Sequence, residues 1–297
     1  MACYRPIHGY RDSGGSLVFS ARKGADVELT VSCGQCIGCR IARARMWQLR
    51  CMHEASLWER NCFVTLTYDA LHLPPFGTLQ YRDVQLFLKR LRKAVGRFRF
   101  FLVGEYGEEL FRPHYHICFF GLWFSDARPV SALYPGKHPE WSSSILESTW
   151  GKGFTHITEL NSTTAGYAAR YCFKKIGGDR AKSHYCVVDD DGVCHWLLPE
   201  FARMSLRPGI GASWYEKYSG DVHTHDYCVA DGTEFPVPRY YDVLLSRRDP
   251  DRLLELKEAR EARAIPFMPD NSFDRLVVKE EVATSKASQY VRRFENG

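Results

Sequence analysis

The stretch RPHYHICFFG, residues 112–121, decides the fold. Its aromatic and apolar content is typical of a β-strand. Residues two apart on a strand point the same way, so His114 and His116 would form a pair on one face. Two neighbouring imidazoles can bind one metal ion. Taken alone, an H-x-H motif favours two histidines on a half-exposed sheet face.

A second predicted strand changes that balance. RFRFFLVGEYG, residues 97–107, is separated from the first strand by a turn-rich piece at 106–113, which indicates an antiparallel pair. Glu105 would then lie beside the histidines, whereas Glu108 and Glu109 would lie in the turn. Two histidines and one carboxylate leave open positions for a phosphate oxygen, which suits Mg²⁺ or Mn²⁺ acting as a Lewis acid.

Four further segments complete the predicted core. The patterns predict strands over 61–69 and 154–159, an amphipathic helix over 81–95 and a helix over 162–175. This order of elements predicts an α+β fold, in which helices pack on an antiparallel central sheet. A Cys-rich N-terminal arm precedes this core and a mostly helical C-terminal tail follows it.

The chain divides into three predicted regions. Residues 1–60 would form the arm, with a possible hairpin at 16–33 and a helix over 40–60 that carries an apolar stripe of Trp47, Cys51, Ala55 and Trp58. Residues 61–178 would form the core. Residues 179–297 would form an accessory region, in which helical patterns return at 251–263 and 273–294.

The stretch AGYAARYCFKK, residues 165–175, places Tyr167, Tyr171 and Lys174 on one helix face. Ser162 or Thr163 is the predicted cap of this helix. Two core tyrosines and a lysine that extends to solvent would explain the spacing by packing alone. Tyrosine is also a competent nucleophile when a metal or cation stabilises its phenolate, because its ordinary pKa is near 10.

Cys33, Cys36 and Cys39 form a C-x₂-C-x₂-C motif, which indicates a metal site in a reduced compartment. A tetrahedral Zn²⁺ site needs a fourth ligand. Cys3 is the first choice, and Cys51 and His53 are alternatives. An iron–sulfur cluster or unliganded thiols remain open.

Bulk composition excludes several classes of protein. A net charge of +5 permits a polyanionic partner without indicating one. The sequence shows no membrane span and no signal peptide, which predicts a cytosolic protein whose cysteines are mostly thiols or metal ligands. No G-x₄-G-K-[ST] loop is present, so no nucleotide cofactor is expected. Cys186 and Cys194 would face each other across a hairpin, and the HTH motif at 223–225 would be a surface loop.

The combined motifs resemble the HUH endonucleases that initiate rolling-circle replication. They are most similar to the replication initiators of gokushoviruses, which are small single-stranded DNA phages of the microvirus family. The similar stretches are CGQCIGCR, FVTLTYD, LFLKRLRK, GEYGE, RPHYHICFFG and MSLRPGIG. The H-Y-H motif departs slightly from the more common H-hydrophobe-H.

The resemblance implies a role for each residue of the motifs. His114, His116 and Glu105 would bind the catalytic metal. Tyr171 would be the first nucleophile, Tyr167 the second, and Lys174 the motif lysine. On this interpretation the basic helix offers phosphate contacts, and the candidates are Lys89, Arg90, Arg92 and Lys93.

The resemblance also implies the protein's partners. It predicts nicking of single-stranded phage DNA at the replication origin, cooperation with a host helicase and DNA polymerase, and action in the cytoplasm of an infected bacterium without membrane association. Two rival hypotheses remain. One is a non-catalytic, zinc-stabilised nucleic-acid-binding protein, and the other is an HUH transposase or relaxase.

Overall fold

A computed structural model describes residues 3–12, 14, 16–20, 25–107, 110–130, 139–171 and 180–289. The chain divides into two compact units, which are a central unit of residues 44–244 and a terminal unit of residues 1–43 with 245–297. In the described ranges, no helix combines the length and apolar character that crossing a membrane requires.

The secondary structure alternates between short strands and helices. The strands are β1 Ile7–Asp12, β2 Leu17–Val18, β3 Ala25–Val31, β4 Asn61–Thr67, β5 Arg99–Tyr106, β6 Pro113–Phe120, β7 Arg128–Pro129, β8 Trp141–Ser142, β9 Thr155–Glu159, β10 Cys186–Val188, β11 Cys194–Trp196, β12 Phe201–Met204, β13 Tyr227–Ala230 and β14 Thr233–Pro236. The helices are α1 Ile37–Ala55, α2 Tyr81–Val95, α3 Ser144–Trp150, α4 Ser162–Tyr171, α5 Arg180–His184, α6 Ala212–His225, α7 Arg239–Arg248, α8 Pro250–Ala264 and α9 Phe273–Ser288.

A seven-stranded antiparallel sheet forms the centre of the central unit. Its strand order is β12-β5-β6-β4-β9-β8-β7. The four strands predicted from sequence are adjacent in this sheet as β5, β6, β4 and β9. The α+β fold, with helices packed on a large antiparallel sheet, is therefore confirmed.

Helix α2 packs its apolar stripe on one face of the sheet. Val84, Phe87, Leu88 and Leu91 are buried there and belong to the same core cluster as the strand residue Ile117. The helix ends at Gly96, whose φ of 87° is one that glycine adopts without strain. The predicted range of this helix, 81–95, matches the structure.

The connection between α3 and β9 approaches the end of β4 closely. The indole Nε1 of Trp150 donates to Thr67 O at 2.9 Å. Gly153 has a φ of +144°, and a Cβ there would overlap backbone atoms of Asp69 and Thr67. Only glycine fits this position, which sets β9 beside β4.

Helix α1 carries most of the predicted apolar stripe. Cys51 and Ala55 are buried, and Trp47 stacks on Phe101 of β5 with ring centroids 4.8 Å apart. Trp58 lies beyond the end of the helix and is exposed. Its inclusion in the stripe was therefore wrong, because the helix ends at Ala55.

The terminal unit contains a three-stranded sheet in the order β2-β1-β3. The predicted hairpin over 16–33 was wrong, because β2 and β3 both pair with β1. The two C-terminal helical patterns are confirmed as α8 and α9. Asp249 caps α8 by accepting a hydrogen bond from the Arg252 N–H at 2.9 Å.

Two minor predictions are corrected by the central unit. The HTH motif at 223–225 ends helix α6, and His223 is buried with its Nε2 2.7 Å from the Tyr215 hydroxyl. It is not a surface loop. Cys186 and Cys194 do lie across a hairpin, on β10 and β11, and they form a disulfide where reduced thiols were expected.

Candidate active site and metal centres

The register of three neighbouring strands places the predicted metal ligands on one sheet face. Glu105 of β5 lies opposite His114 of β6, and His116 lies opposite Thr65 of β4. Opposed residues of an antiparallel pair project to the same side. These four side chains therefore share a face, and it is the face opposite the one that α2 covers.

His116 lies between a carboxylate and a hydroxyl. Its Nε2 is 2.8 Å from Glu105 Oε1, and its Nδ1 is 3.1 Å from Thr65 Oγ1. Both His116 and Glu105 are 4% exposed. A carboxylate only accepts hydrogen bonds, so Nε2 carries the hydrogen in this arrangement. A divalent cation in place of that hydrogen would have a buried carboxylate and an imidazole as ligands.

His114 is oriented by the backbone of the preceding turn. Its Nδ1 is 2.8 Å from the carbonyl oxygen of Arg112. Because a carbonyl only accepts, Nδ1 carries the hydrogen and Nε2 keeps its lone pair. Burial, followed by the nearby His116, lowers the pKa of His114 below its ordinary value. A neutral imidazole held by its other nitrogen is the form that binds metals.

The structure thus joins two of the three predicted ligands directly. Glu105 and His116 are in contact, and His114 occupies the adjacent position on the same face. In the described part of the chain, four cysteines are the group of three or more possible ligands whose atoms all lie within 4.8 Å of one another. The donor set fits a hard cation in its chemistry, and His114 stands outside that close grouping.

Helix α4 brings the first predicted tyrosine to this face. Tyr167 is buried, and its ring meets that of His116 edge-on at a centroid distance of 5.1 Å. Tyr171 is the last residue of α4, one turn beyond Tyr167, and its side chain is not among those that the structure describes. Lys174 lies outside the described residues.

Contacts at its first turn fix the position of α4. Asn161 is the cap, because its Oδ1 accepts from the Thr164 N–H at 3.0 Å while the Thr164 Oγ1 accepts from the Asn161 N–H at 2.9 Å. The predicted caps, Ser162 and Thr163, are therefore wrong by one or two positions. Gln48 of α1 donates to the backbone and side-chain oxygens of Ser162, each at 2.9 Å.

Two of these supporting residues were missed by the sequence reasoning. Thr65 could have been found, because alternate residues of the β4 strand must share the face of its neighbours' histidines. Gln48 carried no signal, since its contact with Ser162 joins residues far apart in the chain.

The basic side chains of α2 lie on the opposite side of the sheet. Arg90 donates to the carbonyls of Thr149 and Trp150 at 2.8 and 3.2 Å, which stabilises the end of α3. Arg92 lies over the ring of Phe98, 4.9 Å from its centroid. Lys89 and Lys93 are exposed.

The four predicted cysteine ligands come together in the terminal unit. The Sγ atoms of Cys3, Cys33, Cys36 and Cys39 all lie within 4.8 Å of one another. The choice of Cys3 as fourth member is confirmed. Cys51 and His53 are elsewhere, since Cys51 is buried in the helix stripe and His53 Nδ1 is 2.8 Å from the Tyr241 hydroxyl.

Backbone N–H groups surround these sulfur atoms. Tyr4 donates to Cys36 Sγ and Cys33 donates to Cys3 Sγ, both at 3.3 Å. Burial opposes ionisation of Cys36, but the backbone hydrogen bonds from Tyr4 and Cys39 overcome it and lower its pKa to about 7. A thiolate is the form that binds metals, so the cluster can hold a metal ion, consistent with structural Zn²⁺.

Comparison with known proteins places the chain among phage proteins. A family model of replication-associated proteins, of the ORF2 type, matches residues 61–176. The chain is 30% identical to the replication-associated protein VP4 of Bdellovibrio phage phiMH2K over 86% of its own length and 80% of the relative's. It is 31% identical to the replication-associated protein ORF2 of Spiroplasma virus 4 over 88% and 86%.

A third relative is more distant. The chain is 26% identical to the replication-associated protein ORF4 of Chlamydia phage 1, over 72% of this chain and 53% of that protein. No solved structure matches the chain. The resemblance to proteins of gokushovirus-type phages is confirmed, and the chain belongs to the family of phage replication-associated proteins.

Proposed function

We propose that this protein initiates rolling-circle replication by nicking and rejoining single-stranded phage DNA at the origin. The observation that carries the proposal is the contact between Glu105 and His116 on the sheet face that Tyr167 covers. A buried carboxylate and imidazole beside a tyrosine helix suit phosphodiester transesterification. Family membership supports the replication role.

The chain's own residues would divide the work. Bound Mg²⁺ or Mn²⁺ would supply Lewis-acid polarisation of a non-bridging phosphate oxygen. Glu105, His114 and His116 would hold the ion, and Thr65 would fix the ring of His116. Lys174 would stabilise negative charge near the phenolate or the leaving group.

The reaction exchanges one ester for another. The Tyr171 hydroxyl oxygen bonds to phosphorus, its proton is lost, and the bond from phosphorus to the 3′ oxygen breaks. The products are a 5′-phosphotyrosine and a free 3′-OH, which a host polymerase would extend with the help of a host helicase. Tyr167 would cut the regenerated origin, and the released 3′-OH would attack the first phosphotyrosine to close a circle. No nucleotide cofactor is required, because each step conserves a phosphodiester bond.

A denaturing gel tests the proposal. Purified protein, Mn²⁺ or Mg²⁺ and labelled single-stranded DNA from the phage origin should give a DNA-bearing protein band. The band should need metal and should vanish when Tyr167→Phe and Tyr171→Phe are combined. Tyr227→Phe, outside α4, is the matched control. A folded wild type that binds origin DNA without forming the band would favour the non-catalytic rival.

We further propose that the cysteine cluster holds one structural Zn²⁺. Elemental analysis should find about one zinc per chain, as the four thiolates close a tetrahedral site. Cys36→Ser should lose it, because serine does not replace a thiolate ligand. Cys228→Ala, a buried cysteine outside the cluster, should keep it. Zinc retained by Cys36→Ser would contradict this assignment, and iron in place of zinc would indicate a cluster of the other kind.

A further inference from the structure

Two surface phenylalanines of the central unit have left-handed backbones. Phe76 has a φ of 57° and Phe111 has a φ of 50°. This conformation is uncommon outside glycine and is unfavourable for a bulky side chain. Phe76 is nevertheless 47% exposed and Phe111 is 38% exposed. Core packing therefore does not account for either aromatic ring, and strained exposed residues of this kind occur at functional sites.

Phe111 belongs to a stack at the metal-binding end of the sheet. Its ring lies parallel to that of Tyr106, with centroids 4.7 Å apart, and its edge meets His184 at 5.5 Å. Tyr106 follows Glu105 in β5 and pairs with Pro113, the residue before His114. The exposed face of this stack therefore begins one residue from two of the proposed metal ligands.

Phe76 belongs to a second stack. Its ring lies 3.6 Å from that of His195, centroid to centroid. Asp189 holds His195 in place, with a distance of 2.6 Å between Oδ2 and Nε2. Trp196 follows in the chain and is 64% exposed.

The main chain of Leu198 fixes the two stacks to one another. Its N–H donates to Thr78 Oγ1 at 3.0 Å, next to the loop of Phe76. Its carbonyl accepts from the Tyr106 hydroxyl at 2.7 Å, beneath Phe111. The stacks are therefore parts of one surface, here called the aromatic strip, which consists of Phe76, Phe111, His184, His195 and Trp196.

We infer that the aromatic strip binds single-stranded DNA by base stacking, in continuity with the proposed nicking site. Every base has a π-face, so aromatic platforms bind single strands with little dependence on sequence. Lys182 is exposed one turn from His184 and can meet a phosphate. The carboxylate of Asp189, which touches the strip, is paired with His195. The identity of the ligand as DNA rests on the proposed function.

The test uses the full chain and a labelled single strand without divalent metal. Phe76→Gly and Phe111→Gly relieve the left-handed backbone, so neither should lower the unfolding temperature. Each should weaken binding, measured by fluorescence anisotropy, by about tenfold for one lost stack. Phe76→Trp and Phe111→Tyr keep a ring and should keep the affinity. Phe267→Ala, an exposed phenylalanine of the terminal unit, is the matched control.

The outcomes separate this inference from the proposed nicking activity. Weaker binding by the glycine variants at unchanged stability, with affinity kept by the aromatic variants, supports it whether or not the wild type nicks DNA. Glycine variants that bind as tightly as the wild type overturn it, even if nicking is observed. A wild type with no affinity for single strands overturns it as well, and a protein partner then becomes the better occupant.

Discussion

His116→Ala should lower the rate of DNA–protein adduct formation by about 10²–10³-fold at fixed Mn²⁺, because it removes a ligand of the cation that stabilises the transition state. The ring of His116 also contacts both Glu105 and Tyr167. Glu105→Gln should cause a loss of similar size. Single-turnover rates from quenched samples on denaturing gels measure both.

Stability must be separated from chemistry in this experiment. Removing His116 leaves a buried carboxylate, which is destabilising in its own right. Thr65→Val is the second variant, because it removes only the hydroxyl near Nδ1 and should cost about 10–100-fold in apparent metal affinity. His156→Ala is the matched control, since it lies opposite Thr65 on the same face and is half-exposed. Full activity in folded His116→Ala would rule out the metal assignment.

Glu54→Gln should lower the free energy of unfolding by about 3 kcal/mol, because it breaks a buried ion pair by changing one partner. The Glu54 side chain is 2% exposed and lies 2.6 Å from Arg99 Nε. It also accepts from the Gly211 N–H at 2.8 Å, which ties the MSLRPGIG stretch to α1. A neutral amide keeps the shape but leaves the Arg99 guanidinium without its counter-ion.

Urea unfolding followed by tryptophan fluorescence measures this change. Glu59→Gln is the matched control, since Glu59 is exposed and should change stability by less than about 0.5 kcal/mol. An equal, small effect of both substitutions would show that the buried carboxylate does not hold the segment. The double variant with Arg99→Gln should lose less than the sum of the two single variants, because the pair acts together.

The strands and their register could be predicted because the signals that specify them are local. A period of two fixes which residues share a face, and a short turn forces antiparallel pairing. These two rules alone place Glu105 beside His114. Cys3 could be chosen because it lies in the same segment as the C-x₂-C-x₂-C motif.

The predictions that were wrong depended on contacts between distant segments. Strand β2 pairs with β1 because the whole arm forms a three-stranded sheet, and local pattern shows only that both flanks are extended. His223 was predicted to lie in a loop because its burial depends on Tyr215 and the surrounding aromatic residues. The cap of α4 was misplaced because an asparagine and two hydroxyl residues compete over adjacent positions, and only geometry decides between them.

The most direct test of the central claim is to map the amino acid that becomes joined to DNA. Wild-type protein would be incubated with Mn²⁺ and an origin oligonucleotide, digested with nuclease and protease, and analysed by tandem mass spectrometry. We predict a nucleotide on the peptide that contains Tyr171, or on Tyr167 when Tyr171→Phe is used. A modified tyrosine outside α4, or cleaved DNA with no modified tyrosine, would contradict the proposed mechanism.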